Sequence, residues 1–200
     1  MKTKWILPLV LLAGIAPLLG NEVWIEPKGG YFYPTSDRLR EFYSPGGGFI
    51  GGEITGELTG RWYGFLGSSW FRKTGHSEGL GNKTTINVVP IQAGFKYLQP
   101  CSDKVEAYFG LGFQTDYVHF HDDSSFVVEK SSNWGYGAVG KFGFIWTHRS
   151  GVFLDLFAEY AWIAKVHFSG TLDGAIDRVP VDVSAISSGI GIGYRFGAKD

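Results

Sequence analysis

The sequence predicts an all-β protein, an eight-stranded antiparallel up-and-down barrel that crosses a membrane and is preceded by a signal peptide. Large apolar residues alternate with small or polar ones over runs of about 10–15 residues, which suits membrane strands of ~9–11 residues better than soluble strands of ~5–6. The connections between these runs alternate strictly between short turns and longer polar loops, as in transmembrane barrels. Together the two patterns favour a closed membrane barrel over a secreted soluble sandwich.

The composition is that of one glycine-rich β domain. Glycine accounts for 30 of the 200 residues, about twice its usual ~7% share, and 16% of the residues are aromatic. The formal net charge of −1 argues against nucleic acid as a partner, because nucleic-acid binding requires excess positive charge. A single cysteine, Cys101, excludes a disulfide within the chain.

The N-terminus has the pattern of a secretory signal peptide. A basic start precedes an apolar run over residues 5–19, which is shorter than the ~20 residues that a spanning helix needs. We predict a signal peptide over residues 1–20 and a barrel domain over residues 21–200; an uncleaved anchor helix is the alternative. No later segment could span as a helix, so a membrane location requires a closed barrel whose backbone groups are all paired.

Eight runs are predicted as strands, and their even number places both termini on the periplasmic side. The third run carries aromatic residues at both odd- and even-numbered positions, so we do not predict which of its faces points inward. The predicted strands are residues 23–33, 49–58, 61–72, 84–98, 105–120, 133–146, 152–165 and 186–196. The predicted turns are 59–60, 99–104 and 147–151, and the predicted loops are 34–48 (with a helical turn over 37–43), 73–83, 121–132 and 166–180.

The last strand alternates large apolar residues with glycine and ends in aromatic rings. Its apolar residues are Ile190, Ile192, Tyr194 and Phe196. This pattern resembles the terminal strand of bacterial outer-membrane β-barrels, although four residues follow Phe196 where that family usually ends in the aromatic residue. Over its whole mature length the chain resembles the small eight-stranded barrels of the OmpX/OmpW and OmpA N-terminal type.

The resemblance implies a location and a set of partners. It implies export through the inner membrane, insertion into the cell outer membrane as a monomer, and contact with outer-membrane lipids. It also implies that the barrel assembly machinery reads Ile190, Ile192, Tyr194 and Phe196 as an insertion signal. The resemblance indicates fold and location more firmly than activity.

Strand parity places an unusual number of charged side chains on the inner face: Glu26, Lys28, Glu53, Glu57, Lys96, Glu106, Asp116, Lys141, Asp155, Glu159 and Arg195. We expect them to form a salt-bridged plug in a lumen too narrow for water, because buried charges persist only when they are paired. The alternative is that the excess carboxylates are protonated or bind a cation. The predicted lumen charge network consists of Glu53, Glu57, Lys96, Lys141, Asp155, Glu159 and Arg195.

These features predict a non-enzymatic outer-membrane barrel with a structural or surface role, or one that passes small solutes, and no catalytic, cofactor or metal site. His119 and His121 with the following acids offer too few converging ligands for a metal, which needs three or four. A barrel enzyme acting on lipid or peptide is an alternative that would require a histidine close to Ser124 or Ser125. A secreted soluble barrel that binds a small apolar ligand is the other alternative.

Overall fold

A computed structural model describes residues 22–37, 39–40, 46–76, 83–122, 130–164, 166–172 and 175–197. Eight strands form a closed antiparallel barrel, and two more form a separate hairpin. The described residues contain no helix that is long and apolar enough to span a membrane. The strands are β1 (Val23–Pro34), β2 (Gly47–Thr59), β3 (Trp62–His76), β4 (Lys83–Pro100), β5 (Val105–Asp122), β6 (Lys130–Thr147), β7 (Val152–Ile163), β8 (Val166–Leu172), β9 (Ala175–Val181) and β10 (Ala185–Phe196).

Barrel closure occurs where the first strand meets the last. β1 pairs with β2 on one side and with β10 on the other, from Val23↔Phe196 to Pro34↔Ala185. Each remaining barrel strand pairs with its neighbours in sequence, except that β10 follows β7. The predicted closed barrel of eight antiparallel strands is therefore confirmed.

The two ends of the barrel differ. At one end, here called the turn end, lie the three short connections at residues 60–61, 101–104 and 148–151, together with both ends of the barrel sequence. Gly60 and Gly151 adopt positive φ angles of 59° and 84° there, which glycine does without steric cost. The opposite end, here called the loop end, carries the longer connections and the β8–β9 hairpin.

Several predicted boundaries differ from the structure. The prediction of a loop over 166–180 is wrong, because β8 and β9 pair antiparallel from Val166↔Val181 to Leu172↔Ala175. Outside the barrel wall this hairpin satisfies its own backbone hydrogen bonds, so its chain can stay extended.

The strands β4, β5 and β6 also reach further into the predicted loops, and each is 18 residues long. Of the predicted helical turn, Asp37, Leu39 and Arg40 are helical, and residues 38 and 41–43 lie outside the described residues.

The outer face of the barrel is an apolar belt with aromatic rims. Phe95, Leu111 and Ile192 are each about 60% exposed, which is unusual for large apolar side chains. β3, whose orientation the sequence left open, turns its even-numbered residues outward. Exposed rings at the turn end include Trp62, Trp146, Tyr194 and Phe196, and those at the loop end include Trp70, Trp134, Tyr160 and Trp162. Two such girdles flank the lipid-facing band of transmembrane barrels.

The inner face consists of three layers along the barrel axis. An apolar layer at the loop end contains Phe32 and Phe71, whose stacked ring centroids are 4.5 Å apart. An apolar layer at the turn end contains Trp24, whose ring lies 4.9 Å from that of Tyr63 and 5.6 Å from that of Phe153. Between the two lies a layer of charged side chains, which is the candidate site.

Candidate functional site

The charged layer exists because the period of two along each strand turns every second side chain inward. The pattern places Lys28 of β1, Glu53 of β2 and Lys96 of β4 in the lumen, all buried. Lys141 of β6 and Asp155 of β7 complete the ring from the other side, also buried. Widely separated segments of the chain thus bring their charges to one level of the barrel.

Glu53 is the centre of this layer. Its Oε2 accepts hydrogen bonds from Nζ of Lys141 at 2.6 Å and from Nζ of Lys28 at 3.3 Å. Its Oε1 accepts from Nζ of Lys96 and, at 3.2 Å, from Oγ1 of Thr55. Three ammonium groups therefore surround one carboxylate, which offsets the cost of burying charge.

Aromatic rings complete the shells of the three lysines. Lys28 Nζ lies 4.4 Å from the ring centroid of Phe157, and Lys141 Nζ lies 4.4 Å from that of Phe65. Lys96 Nζ lies 4.6 Å from the ring of Tyr108. Because a ring face attracts a desolvated cation, these contacts add to the ion pairs.

A chain of amides continues the layer towards the loop end. Gln92 Nε2 donates to Oε2 of Glu159 at 3.2 Å and to Oε1 of Gln114 at 2.8 Å. Gln114 Nε2 in turn donates to Oδ1 of Asp116 at 2.7 Å. Glu159 also pairs with Nζ of Lys141 at 3.0 Å, so the amide chain connects Asp116 to the ion pairs.

The opposite side of the layer is less well paired. Asp155 Oδ2 accepts from the Tyr108 hydroxyl at 3.0 Å. Lys28 Nζ lies 3.8 Å from Glu26 and 3.9 Å from Asp155, too far for good hydrogen bonds. Glu26 Oε1 and Asp155 Oδ1 are buried and accept no hydrogen bond from any donor of the described residues.

Two members of the predicted network lie elsewhere. Arg195 belongs to a separate cluster at the turn end, where it pairs with Glu106 and, at 3.4 Å, with Glu22. Its guanidinium lies 4.0 Å above the Trp24 ring. Glu57 is half-buried near that end, and among the described residues its side chain makes no ion pair. The structure brings together the other five members: Glu53, Lys96, Lys141, Asp155 and Glu159.

The lumen is nearly filled by side chains at the charged layer. Among the described residues, the cavity lined by Lys28, Glu53, Lys141 and Glu159 has a volume of about 20 Å³. A water molecule needs about 10–15 Å³, so this cavity has room for about one water. A larger groove of about 560 Å³ lies at the turn end, around Cys101 and Arg195, and opens outward.

The four residues predicted to act as an insertion signal all face outward on β10. Ile190, Ile192, Tyr194 and Phe196 are about half exposed, and the last two rings pack 4.8 Å apart. This placement suits either a lipid-facing surface or a sequence read before folding, and their role as a signal stays a prediction. Residues 198–200 lie outside the described residues.

Of the remaining sequence candidates, only His119 has a described side chain. His119 is half-buried on the outer face, opposite Asn87 and Ser132. The His121 side chain, Asp123, Ser124 and Ser125 lie outside the described parts. Within the part of the chain that the structure describes, no group of three His, Cys, Asp or Glu residues is arranged to hold a metal ion.

The side chains of Glu26 and Lys28 lie in the lumen, as strand parity predicts, but parity does not reveal which inward charges meet, so neither is in the predicted network. The Tyr108 side chain also lies in the lumen and is not among the predicted residues. Tyr108 shares the inward face of β5 with Gln114 and Asp116. Its role as donor to Asp155 depends on the barrel stagger, which brings together residues 47 apart in sequence.

Solved structures that share this architecture include several small outer-membrane barrels. OprG of Pseudomonas aeruginosa superposes with a TM-score of 0.70 at 17% identity, covering 90% of this chain and 98% of its own. OmpW of E. coli gives 0.60 at 18% identity, with 88% and 97% covered. Ail, the attachment invasion locus protein of Yersinia pestis, gives 0.56 at 16% identity in complex with a heparin analogue, with 88% and 98% covered.

These likenesses establish the fold. No protein-family model and no curated protein sequence matches the chain. At identities of 16–18%, the side chains of the lumen and loops are free to differ while the barrel is kept. The chain therefore has the fold of small eight-stranded outer-membrane barrels.

Proposed function

We propose that the protein is a non-enzymatic, integral outer-membrane barrel with a closed lumen, which holds its loop end at the cell surface. The lipid-facing belt, the two aromatic girdles and the likeness to outer-membrane barrels support this location. Residues 1–20 would be a cleaved signal peptide, and the barrel would be a monomer inserted by the barrel assembly machinery among outer-membrane lipids.

The observation that carries the proposal is the nearly filled lumen. Lys96 and Asp155 are fully buried, and Lys141 is 2% exposed, which supports a charged layer without a continuous water path. A transported solute would have to break several buried ion pairs, and leaving one buried charge unpaired costs ~3–5 kcal/mol. A barrel of this kind acts through its surfaces, which favours a structural or surface role over passage of solutes.

Planar-bilayer conductance of the refolded protein tests the proposal. We expect no stepwise conductance above the leak of the lipid alone at any protein amount. The double variant Lys96→Ala/Lys141→Ala, which removes two long side chains from the charged layer, serves as the matched control and should show small steps. Stepwise conductance of the unaltered protein, in proportion to the amount inserted, would show that the lumen is a pore.

A further inference from the structure

Two buried carboxyl groups in the charged layer lack the hydrogen bonds that the others have. Glu53 accepts from three lysines and Glu159 from Lys141 and Gln92. In contrast, Glu26 Oε1 and Asp155 Oδ1 have no donor among the described residues, although both side chains are almost fully buried. Buried polar atoms without a partner are rare in folded proteins and require an explanation.

The two unpartnered carboxyl groups are neighbours. Glu26 extends from β1 and Asp155 from β7, and the side chains lie within hydrogen-bonding reach of each other. Gly191 of β10 lies between them, opposite Lys28 on one side and Asp155 on the other. A Cβ on Gly191 would overlap Glu26 Oε1, so the glycine leaves room for the Glu26 side chain to cross β10.

Two carboxylates cannot donate to one another, whereas a carboxylic acid donates to a carboxylate. The ion-paired layer contains four carboxyl groups, of Glu26, Glu53, Asp155 and Glu159, against the three ammonium groups of Lys28, Lys96 and Lys141. One carboxyl group is thus in excess, and an uncompensated charge in such a place is strongly unfavourable. One bound proton would explain both the unpartnered carboxyl oxygens and the excess negative charge.

We propose that Glu26 and Asp155 bind one proton between them at neutral pH. The proton forms a carboxyl–carboxylate hydrogen bond that joins β1 to β7 across β10, and it makes the ion-paired layer electrically neutral. Of the two acids, Asp155 already accepts from the Tyr108 hydroxyl, which stabilises its ionised form. Glu26, with no such donor, is the group that holds the proton. The titratable side chains that face the pair are Lys28 of β1, Glu53 of β2, Lys96 of β4, Tyr108 of β5, Lys141 of β6 and Glu159 of β7.

Infrared spectroscopy of the refolded barrel tests this proposal, because a protonated carboxyl group has a C=O stretch that carboxylates lack. Asp116 is a further buried carboxyl group, paired only with Gln114, so all spectra are recorded in an Asp116→Asn background. At pH 7 we expect a protonated-carboxyl band that shifts in heavy water. The band should be lost on adding Glu26→Gln and, independently, on adding Asp155→Asn.

Glu106→Gln is the matched control, because Glu106 pairs with Arg195 outside the charged layer and its loss should leave the band unchanged. Absence of the band at pH 7 in the parent barrel, or its survival in both the Glu26→Gln and Asp155→Asn variants, overturns the proposal. An absent band together with a stability that is higher in sodium than in choline buffer would assign the site to a bound cation instead. The measurement uses protein refolded in detergent, so its outcome does not depend on cellular location.

Discussion

At the scale of single residues, Gly30 of β1 and Gly189 of β10 determine how closely the barrel's closing strands approach. The two glycines are direct partners across the seam. A Cβ on Gly189 would lie 2.7 Å from the Cα of Gly30 and would overlap the carbonyl oxygen of Gly29. Both obstacles are backbone atoms, which cannot move without shifting the whole strand. Gly189 is therefore required because the backbones of β1 and β10 lie too close together at this position to admit a side chain.

We expect Gly189→Ala to destabilise the refolded barrel by about 1–3 kcal/mol, the usual cost of overpacking. The control is Gly140→Ala, because a Cβ there would meet only Leu111 Cδ2 at 3.9 Å, an ordinary contact. Urea midpoints in detergent compare the two. Equal midpoints for both variants would show that the seam tolerates a side chain.

Lys141 allows a second prediction at this scale. Its ammonium group pairs with Glu53 at 2.6 Å and with Glu159 at 3.0 Å, so Lys141→Ala leaves buried carboxylates short of a cation. Removing one partner of a buried ion pair costs ~3–5 kcal/mol, and the urea midpoint should fall accordingly. Lys104→Ala, in an exposed turn, should leave the midpoint unchanged. A Lys141→Ala midpoint equal to that of the unaltered protein would contradict a dry, paired lumen.

At the scale of elements, the terminal strand combines two requirements. β10 must close the barrel against β1, because an open edge in lipid leaves backbone groups unpaired. Its outward residues are also predicted to be read as an insertion signal before closure. The two roles can be separated, since closure depends on the backbone and the inward glycines, and the signal depends on the outward apolar side chains.

We expect Phe196→Ala to lower outer-membrane yield more than it lowers stability in detergent. Phe196 is 49% exposed, so its loss costs less than the ~1.5–3 kcal/mol of a fully buried ring. The measurement compares cellular yield with the urea midpoint of the same variant. Truncation after Phe196 is the companion variant: a higher yield would show that the four trailing residues hinder recognition. A normal yield of Phe196→Ala would refute the signal role of this ring.

The β8–β9 hairpin is an element that we expect the barrel to fold without. It pairs only with itself in the sheet and lies outside the closed barrel order. Replacing residues 168–179 by a short Gly-Ser turn keeps Val166 and Val181, which pack at the barrel's apolar core. The shortened protein should therefore refold with a urea midpoint near that of the full chain. A barrel that no longer forms would show that the hairpin is part of the folding unit.

At the scale of the whole molecule, two patterns are sufficient to predict the fold. Apolar residues alternate with small or polar ones, which predicts eight barrel strands, and short connections alternate with long ones, which predicts turns and loops. Period-two patterns determine which residues face inward, so most of the charged layer could be anticipated residue by residue. The sequence does not reveal the stagger between strands. The stagger determines which inward side chains lie at the same level of the barrel and can therefore form ion pairs. Parity alone therefore groups Glu57 and Arg195 with Glu53, although both lie nearer the turn end.

Sequence patterns alone also left the orientation of β3 and the β8–β9 hairpin unpredicted. β3 has aromatic residues on both parities because Tyr63, Phe65 and Phe71 fill the lumen layers while Trp62 and Trp70 face outward, so periodicity alone is ambiguous there. The β8–β9 segment lacks the length of a barrel strand, so a loop was the natural prediction. Function is less predictable than fold because the contacts that specify a surface partner are carried by loop residues.

Cell fractionation combined with gel mobility asks whether the chain is an integral outer-membrane barrel. We expect the mature protein in the detergent-extracted outer-membrane fraction, with faster migration when the sample is not boiled, because a closed barrel stays compact until heated. Recovery as a soluble periplasmic protein whose migration does not change on boiling would show that the chain is not a membrane barrel.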